Sequence, residues 1–155
     1  MSSYRLRLTP ERATETFWRT FDLGAERSLF EFQEAIVSAL QFDADRRWFF
    51  GTDRDYWASP VKYQSPAEYE SFASGGPMRW DEDVFDARQV PIGSLGLGRW
   101  GQLCFLFDYI EEWRLYVTIE QIDESSSEQH PPKLVEACGD PDSVLPRRYT
   151  PVREG

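Results

Sequence analysis

The residues with the clearest chemical potential in this chain are three carboxylates, Asp108, Glu111 and Glu112, followed directly by Trp113 and Arg114. Clustered carboxylate oxygens are ligands that divalent cations prefer, so one hypothesis is a metal-dependent hydrolase or nuclease that uses these three side chains. The favoured interpretation is a charged turn in which Asp108 accepts hydrogen bonds from turn amides. The sequence predicts no cofactor and no assigned catalytic residue.

Other groups with catalytic or metal-binding potential give weaker signals. A metal site at this turn needs carboxylates from another element, and Asp53 and Asp55 lack the glycine and terminal glutamate of a calcium loop. The only histidine, His130, lies in a polar segment before two prolines. Acid–base and triad chemistry need a positioned base with an orienting partner, which this segment does not offer.

Aromatic residues beside arginines form a second candidate group. Such pairs anchor peptides or stack on bases. We interpret Phe49 and Phe50 as core residues, and we predict that Tyr56 and Trp57 are surface anchors. The predicted partner-binding residues are Tyr56, Trp57, Arg46 and Arg114.

The composition restricts the classes of partner. A formal net charge of -10 over 155 residues disfavours broad contact with a phosphate backbone. A local basic face that includes Arg5, Arg7 and Arg19 is the alternative, and it is the basis of a nucleic-acid-binding hypothesis. The favoured interpretation is that these arginines pair with neighbouring carboxylates.

Two cysteines are too few for a disulfide framework. The chain opens without a basic and apolar leader, and no apolar run approaches about 18 residues. These features predict a cytoplasmic protein that does not contact membranes.

The elements that position the acidic cluster follow from hydrophobic periodicity. Residues 103–122 alternate apolar and polar side chains around the acidic turn, which predicts a β-hairpin with Trp113, Leu115 and Val117 facing a core. Tyr4 to Leu8 and Thr16 to Leu23 predict an earlier pair of strands.

A helix and a long insertion separate these two strand pairs. Ser28 and Glu31 form a capping-box signature, and the apolar spacing that follows predicts a helix that ends near Gln41. Arg46 to Gly51 predicts a third strand. Residues 52–90 are an aromatic-rich insertion with a short helix over Pro66 to Ala73, and it is either a functional loop or an excursion pinned by its own aromatic rings.

The region after the hairpin is polar and rich in proline. Residues 123–133 predict a solvated linker. Leu134 to Ala137 are predicted to form one helical turn, and residues 141–155 a tail.

Several motifs, taken in order, resemble one known family. Phe107 to Trp113 is similar to the signature of the plasmid pRiA4b ORF-3-like family, which is also labelled insertion-element passenger TnpR. Phe17 to Arg19 and Ala137 to Asp142 resemble further elements of that family. In this chain Ile110 replaces the signature glycine, and the usual family histidines are missing.

The resemblance implies an α+β fold related to the β-grasp, in which a mixed sheet packs on one main helix. Residues 1–140 are then a single domain with the 52–90 insertion. The first functional hypothesis is a non-enzymatic module that recognises a protein or peptide through a sheet edge or the insertion.

Overall fold

The structure is a computed structural model that describes residues 2–12, 15–73, 83–126 and 128–141. All of the predicted tail except Pro141, and the 74–82 part of the insertion, lie outside the described residues. The helices and strands are β1 (Ser3–Pro10), β2 (Trp18–Gly24), α1 (Leu29–Leu40), β3 (Trp48–Gly51), β4 (Val61–Gln64), α2 (Pro66–Ala73), β5 (Asp83–Asp86), β6 (Gln102–Phe107), β7 (Trp113–Asp123) and β8 (Lys133–Cys138).

All eight strands join one sheet in the order β5-β4-β3-β6-β7-β1-β2-β8. The β4–β5 pair is parallel, whereas the other neighbouring pairs are antiparallel. The sheet is therefore mixed, and the predicted α+β class is confirmed. The predicted kinship with the β-grasp stays a prediction. Neither helix in the described part of the chain has the length and apolar character needed to cross a membrane.

The main helix has the limits that its capping signals predict. The Ser28 hydroxyl accepts a hydrogen bond from the Glu31 amide at 3.1 Å, and the Ser28 amide donates to the Glu31 carboxylate at 3.1 Å. This reciprocal pair satisfies two amide donors that a helix start otherwise leaves without partners. Gln41 ends the helix in the left-handed conformation, at φ 57°.

The apolar face of α1 and one face of the sheet form the main core. Phe32 contacts Phe21 at 5.4 Å and Phe50 at 6.0 Å between ring centroids, so the helix packs over β2 and β3. Just after the helix, Phe42 stacks on Phe107 at 4.7 Å. The prediction that the odd-numbered residues of the hairpin face the core is confirmed, because they are buried: Trp113, Leu115, Val117 and Ile119.

The opposite face of the sheet carries a second, smaller core that the insertion covers. It consists of Phe49, Tyr56, Cys104 and Leu106. The insertion approaches the sheet so closely that a Cβ on Gly51 would lie 2.4 Å from the Ser59 Oγ. The prediction that Phe49 and Phe50 are core residues is confirmed, and the two rings belong to different cores. The insertion also adds β4 and β5, which its sequence did not predict.

The second core protects Cys104 from thiol reagents. Burial raises the pKa of the Cys104 thiol, and a hydrogen bond with Ser59 lowers it less. Because the thiolate is the reactive species, we expect Cys104 in the native protein to react with Ellman's reagent about 100-fold more slowly than Cys138, which is partly exposed. A Cys138→Ser variant should then show no rapid phase until denaturant is added; a rapid phase in that variant would contradict the burial of Cys104.

The predicted helical turn over Leu134 to Ala137 is wrong, because these residues belong to β8. This strand pairs antiparallel with β2. Arg19, which is buried near the start of β2, donates to the carbonyl oxygens of Cys138 at 2.8 Å and Gly139 at 3.0 Å. These long-range bonds hold the segment in an extended conformation and override its local preference for a helical turn.

Candidate functional site

The turn between β6 and β7 is built around the Asp108 carboxylate. This side chain is buried, and it accepts hydrogen bonds from the amides of Ile110 at 3.0 Å and Glu111 at 3.2 Å. The Glu112 amide closes the turn on the Asp108 carbonyl at 2.7 Å, and the Asp108 amide donates to the Arg47 carbonyl at 2.7 Å. The backbone of the turn is thus fixed from both sides. The prediction that Asp108 accepts hydrogen bonds from turn amides is confirmed.

Trp57 lies beside this turn and is held at its backbone and its ring. The Lys62 ammonium, which is buried, donates to the Trp57 carbonyl at 2.8 Å. The indole N–H donates to the Glu112 carboxylate at 3.2 Å, and the ring meets Tyr109 edge-on at 4.9 Å. Trp57 still exposes 42% of its surface, so a fixed aromatic face points to solvent.

Arg114 positions Glu112 for that contact with Trp57. Its guanidinium donates to the Glu112 carboxylate at 2.8 Å and lies over the Tyr56 ring at 4.9 Å. The hydrogen bond and the charge of Glu112 raise the pKa of Arg114. Because this arginine is paired within the protein, its structural role is to orient Glu112.

The prediction that Tyr56 is a surface anchor is wrong, because Tyr56 is fully buried. Its hydroxyl donates to the Leu115 carbonyl at 3.2 Å, and its ring stacks on Tyr116 at 6.0 Å. Burial raises the pKa of the Tyr56 phenol well above its ordinary value. The 3₁₀ turn over Tyr56–Ala58 directs Tyr56 into the second core and leaves the next residue, Trp57, partly exposed.

A cleft of ≈ 380 Å³ opens beside the turn, and Tyr109, whose ring contacts Trp57, is one of the residues that line it. Arg46 lies in it, with its Nε 3.3 Å from an Asp43 oxygen and 3.6 Å from an Asp108 oxygen. The lining residues are Asp45, Arg46, Arg47, Asp108, Tyr109 and Ile110.

The structure therefore brings together Arg46, Asp108 and, through Tyr109, Trp57. Sequence reasoning missed Tyr109, Ile110 and Arg47 as members of this surface. The signal that could have found Ile110 was a large apolar residue at the tip of an otherwise acidic turn.

Comparison with known proteins tests the family resemblance that the sequence motifs indicated. The sequence model described as "Plasmid pRiA4b ORF-3-like protein" matches residues 2–143. The chain belongs to the pRiA4b ORF-3-like family. The comparison with curated proteins gives no match. Among solved structures, the protein of unknown function MM3350 from Methanosarcina mazei Go1 has a similar fold, with a TM-score of 0.63 and 12% identity over 88% of this chain and 69% of that chain.

The signature turn of this pRiA4b ORF-3-like protein tolerates isoleucine at position 110, where the family signature has glycine. The residues of the turn with positive φ are Asp108, at 67°, and Glu112, at 54°, whereas Ile110 is not among them. A side chain at position 110 thus carries no backbone strain, and aspartate tolerates the left-handed region better than most residues. The replacement places an isoleucine that is 83% exposed at the tip of the turn.

The three carboxylates of the turn do not share a centre. Those of Asp108 and Glu112 point to different partners, the first to turn amides and the second to Trp57 and Arg114. Among the residues that the structure describes, no group of three or more His, Cys, Asp and Glu side chains is placed to hold a metal ion. The described geometry thus gives the metal-dependent hydrolase hypothesis no support.

The three arginines of the nucleic-acid-binding hypothesis are engaged within the protein. Arg5 pairs with Asp22 at 2.8 Å, and this hydrogen bond raises the pKa of Arg5. Arg7 lies 2.9 Å from Glu120, while Arg19 is buried against carbonyl oxygens. Arg5 and Arg7 therefore pair with neighbouring carboxylates, as the favoured interpretation predicted. Arg19 differs from that interpretation, because it bonds backbone carbonyl oxygens within the protein.

Proposed function

We propose that this pRiA4b ORF-3-like protein is a non-enzymatic module that binds a peptide segment of a partner protein at the Trp57–Ile110 surface. We define this surface as Trp57, Tyr109 and Ile110 together with Arg46 and Arg47 of the cleft. The observation that carries the proposal is the 83% exposure of Ile110 on a turn whose backbone is fixed by buried Asp108.

Rigidity is what makes this exposed residue suitable for recognition. A surface whose backbone is already ordered loses little conformational entropy on binding, so more of the contact energy remains as affinity. Aromatic and large aliphatic anchors supply most of that energy when a partner buries them. Trp57 and Ile110 provide one anchor of each kind: the Trp57 ring contacts Tyr109 at 4.9 Å, and Ile110 follows Tyr109 in the chain.

The charges beside the apolar anchors favour an acidic partner segment. Arg47 is largely exposed, and its only described ion pair is a 3.4 Å contact with Glu68, itself partly exposed. Exposed ion pairs contribute little stability, so Arg47 can exchange Glu68 for a carboxylate of the partner at little cost. We therefore propose a peptide with a large apolar residue next to an aspartate or glutamate. The mobile-element association and cytoplasmic location are part of this proposal and are based on the family resemblance and the sequence.

A displayed peptide library tests the proposal directly. We expect the native protein to enrich peptides that combine one large apolar and one acidic residue. Trp57→Ala and Ile110→Asp should each weaken a selected peptide by about 30-fold, as measured by fluorescence anisotropy, since loss of an interface anchor costs about 2 kcal/mol.

The matched control is Trp100→Gly, which removes another exposed tryptophan. Trp100 has a φ of 73°, which glycine adopts without strain, and its amide bonds the Ile119 carbonyl. Ile119 is six residues from Trp113 along β7, which corresponds to about 20 Å. This variant should bind the peptide like the native protein. Equal binding by all four proteins, or a library without enrichment, would refute the proposed surface.

A further inference from the structure

The strand β8 forms one edge of the sheet and is exposed along most of its length. Within the described residues it pairs with β2 and with no other strand. Leu134 and Val135 expose 42% and 39% of their surfaces, respectively. An exposed edge strand with apolar side chains is a template for a further strand.

A bulge at Val135 determines which side chains share a face of the sheet. The pairs Phe21↔Leu134 and Thr20↔Glu136 leave Val135 as the extra residue of β8. Lys133 pairs with Asp22, which is two positions from Thr20 on β2. Because side chains two positions apart on a strand point to the same side, Lys133 and Glu136 lie on one face, and Leu134 lies on the other.

This arrangement is complementary to itself. When two β8 strands run antiparallel about a two-fold axis at Leu134, each Leu134 meets its symmetry mate on one face. On the other face, each Lys133 lies opposite the Val135–Glu136 bulge of the second strand. The axis thus places two oppositely charged pairs and one apolar pair across the new contact, and cross-strand pairs of these kinds stabilise sheets.

We propose that two copies of this chain associate through β8, edge to edge, and join their eight-stranded sheets into one. A six-residue edge is a small interface, so the dimer is expected to form reversibly in the micromolar range. The edge lies four strand spacings, about 19 Å, from β6, so the dimer leaves the Trp57–Ile110 surface of each copy free. This inference does not depend on the proposed function.

Sedimentation velocity over micromolar to submillimolar concentrations tests the association. We expect the native protein to shift from monomer to dimer across this range. Lys133→Glu and Glu136→Lys each place like charges across the axis, and each should weaken the dimer about ten-fold or more. Mixing the two variants restores both opposite-charge pairs, so the mixture should contain a heterodimer that is more stable than the homodimer of either variant.

Two further observations keep the test decisive. Lys133→Glu also places a carboxylate beside Asp22 within the chain, so circular dichroism must show native strand content, and Leu134→Asp provides a second disruption that leaves that pair intact. A native protein that stays monomeric over the whole range would overturn the proposal. Dimers that survive in all three single variants, or a mixture without heterodimer while both variants are folded, would overturn it as well.

Discussion

Replacing Phe105 by alanine is expected to lower the free energy of unfolding by about 4 kcal/mol. Phe105 is fully buried in the middle of β6, where its ring stacks on Phe50 at 4.6 Å and contacts Phe107 at 6.1 Å. Truncation removes the buried ring and leaves a cavity between α1 and the sheet that the surrounding side chains fill only in part. Urea unfolding followed by circular dichroism measures the change.

The matched control for this variant is Phe85→Ala on the edge strand β5. Phe85 is 45% exposed and contacts Tyr63 at 5.9 Å, so its truncation removes less buried surface and encloses no cavity. We expect a loss of about 1 kcal/mol or less. If the two variants lost similar stability, the placement of Phe105 in the layer between helix and sheet would be wrong.

The second large effect is expected at Asp108, where alanine should cost about 3 kcal/mol of unfolding free energy. The substitution leaves the amides of Ile110 and Glu111 without the acceptor they use in the native turn. It also places a side chain that does not favour the left-handed region at a φ of 67°. The ion pair of Asp108 with Arg46 adds little to the free energy of unfolding, because the arginine side chain is 45% exposed and the two atoms are 3.6 Å apart.

Asp108→Asn separates hydrogen bonding from charge. Asparagine keeps an acceptor oxygen for the turn amides and tolerates the left-handed region, so we expect the free energy of unfolding to fall by only about 1 kcal/mol.

The same pair of variants tests whether the order of the turn is what allows Ile110 to bind a partner. The alanine variant should lose affinity for a selected peptide because its turn is no longer fixed, whereas the asparagine variant should retain most of it. Equal stability of the two variants would show that the carboxylate does not cap the turn.

These expectations connect stability with the proposed function. The side chain that orders the turn is buried, whereas the side chain that meets a partner is exposed at its tip. The interaction energy available to Ile110 therefore depends on hydrogen bonds made two residues earlier in the chain. Trp57 is likewise held in place by other residues before any partner binds: Lys62 bonds its backbone carbonyl, and Glu112 accepts a hydrogen bond from its indole N–H.

The sequence alone determined the elements whose signals are local. The Ser28–Glu31 capping box set the start of α1, and alternation set the inward face of β7, because both depend on periodicities of the backbone itself. The role of Asp108 was also predictable, since short acidic side chains bond the amides that follow them in turns. The family signature in the same turn gave the family and, with it, the α+β class.

Only the tertiary structure decided the features that depend on distant partners. Tyr56 and Trp57 are neighbours of similar chemical character, yet one fills the second core and the other faces solvent, because a 3₁₀ turn packs against β6 and β7. The segment over β8 is extended because β2 and Arg19 bind it from more than 110 positions away. The cleft beside Ile110 exists because Arg46 and Arg47, just before β3, reach the hairpin turn, and no local sequence pattern predicts that long-range contact.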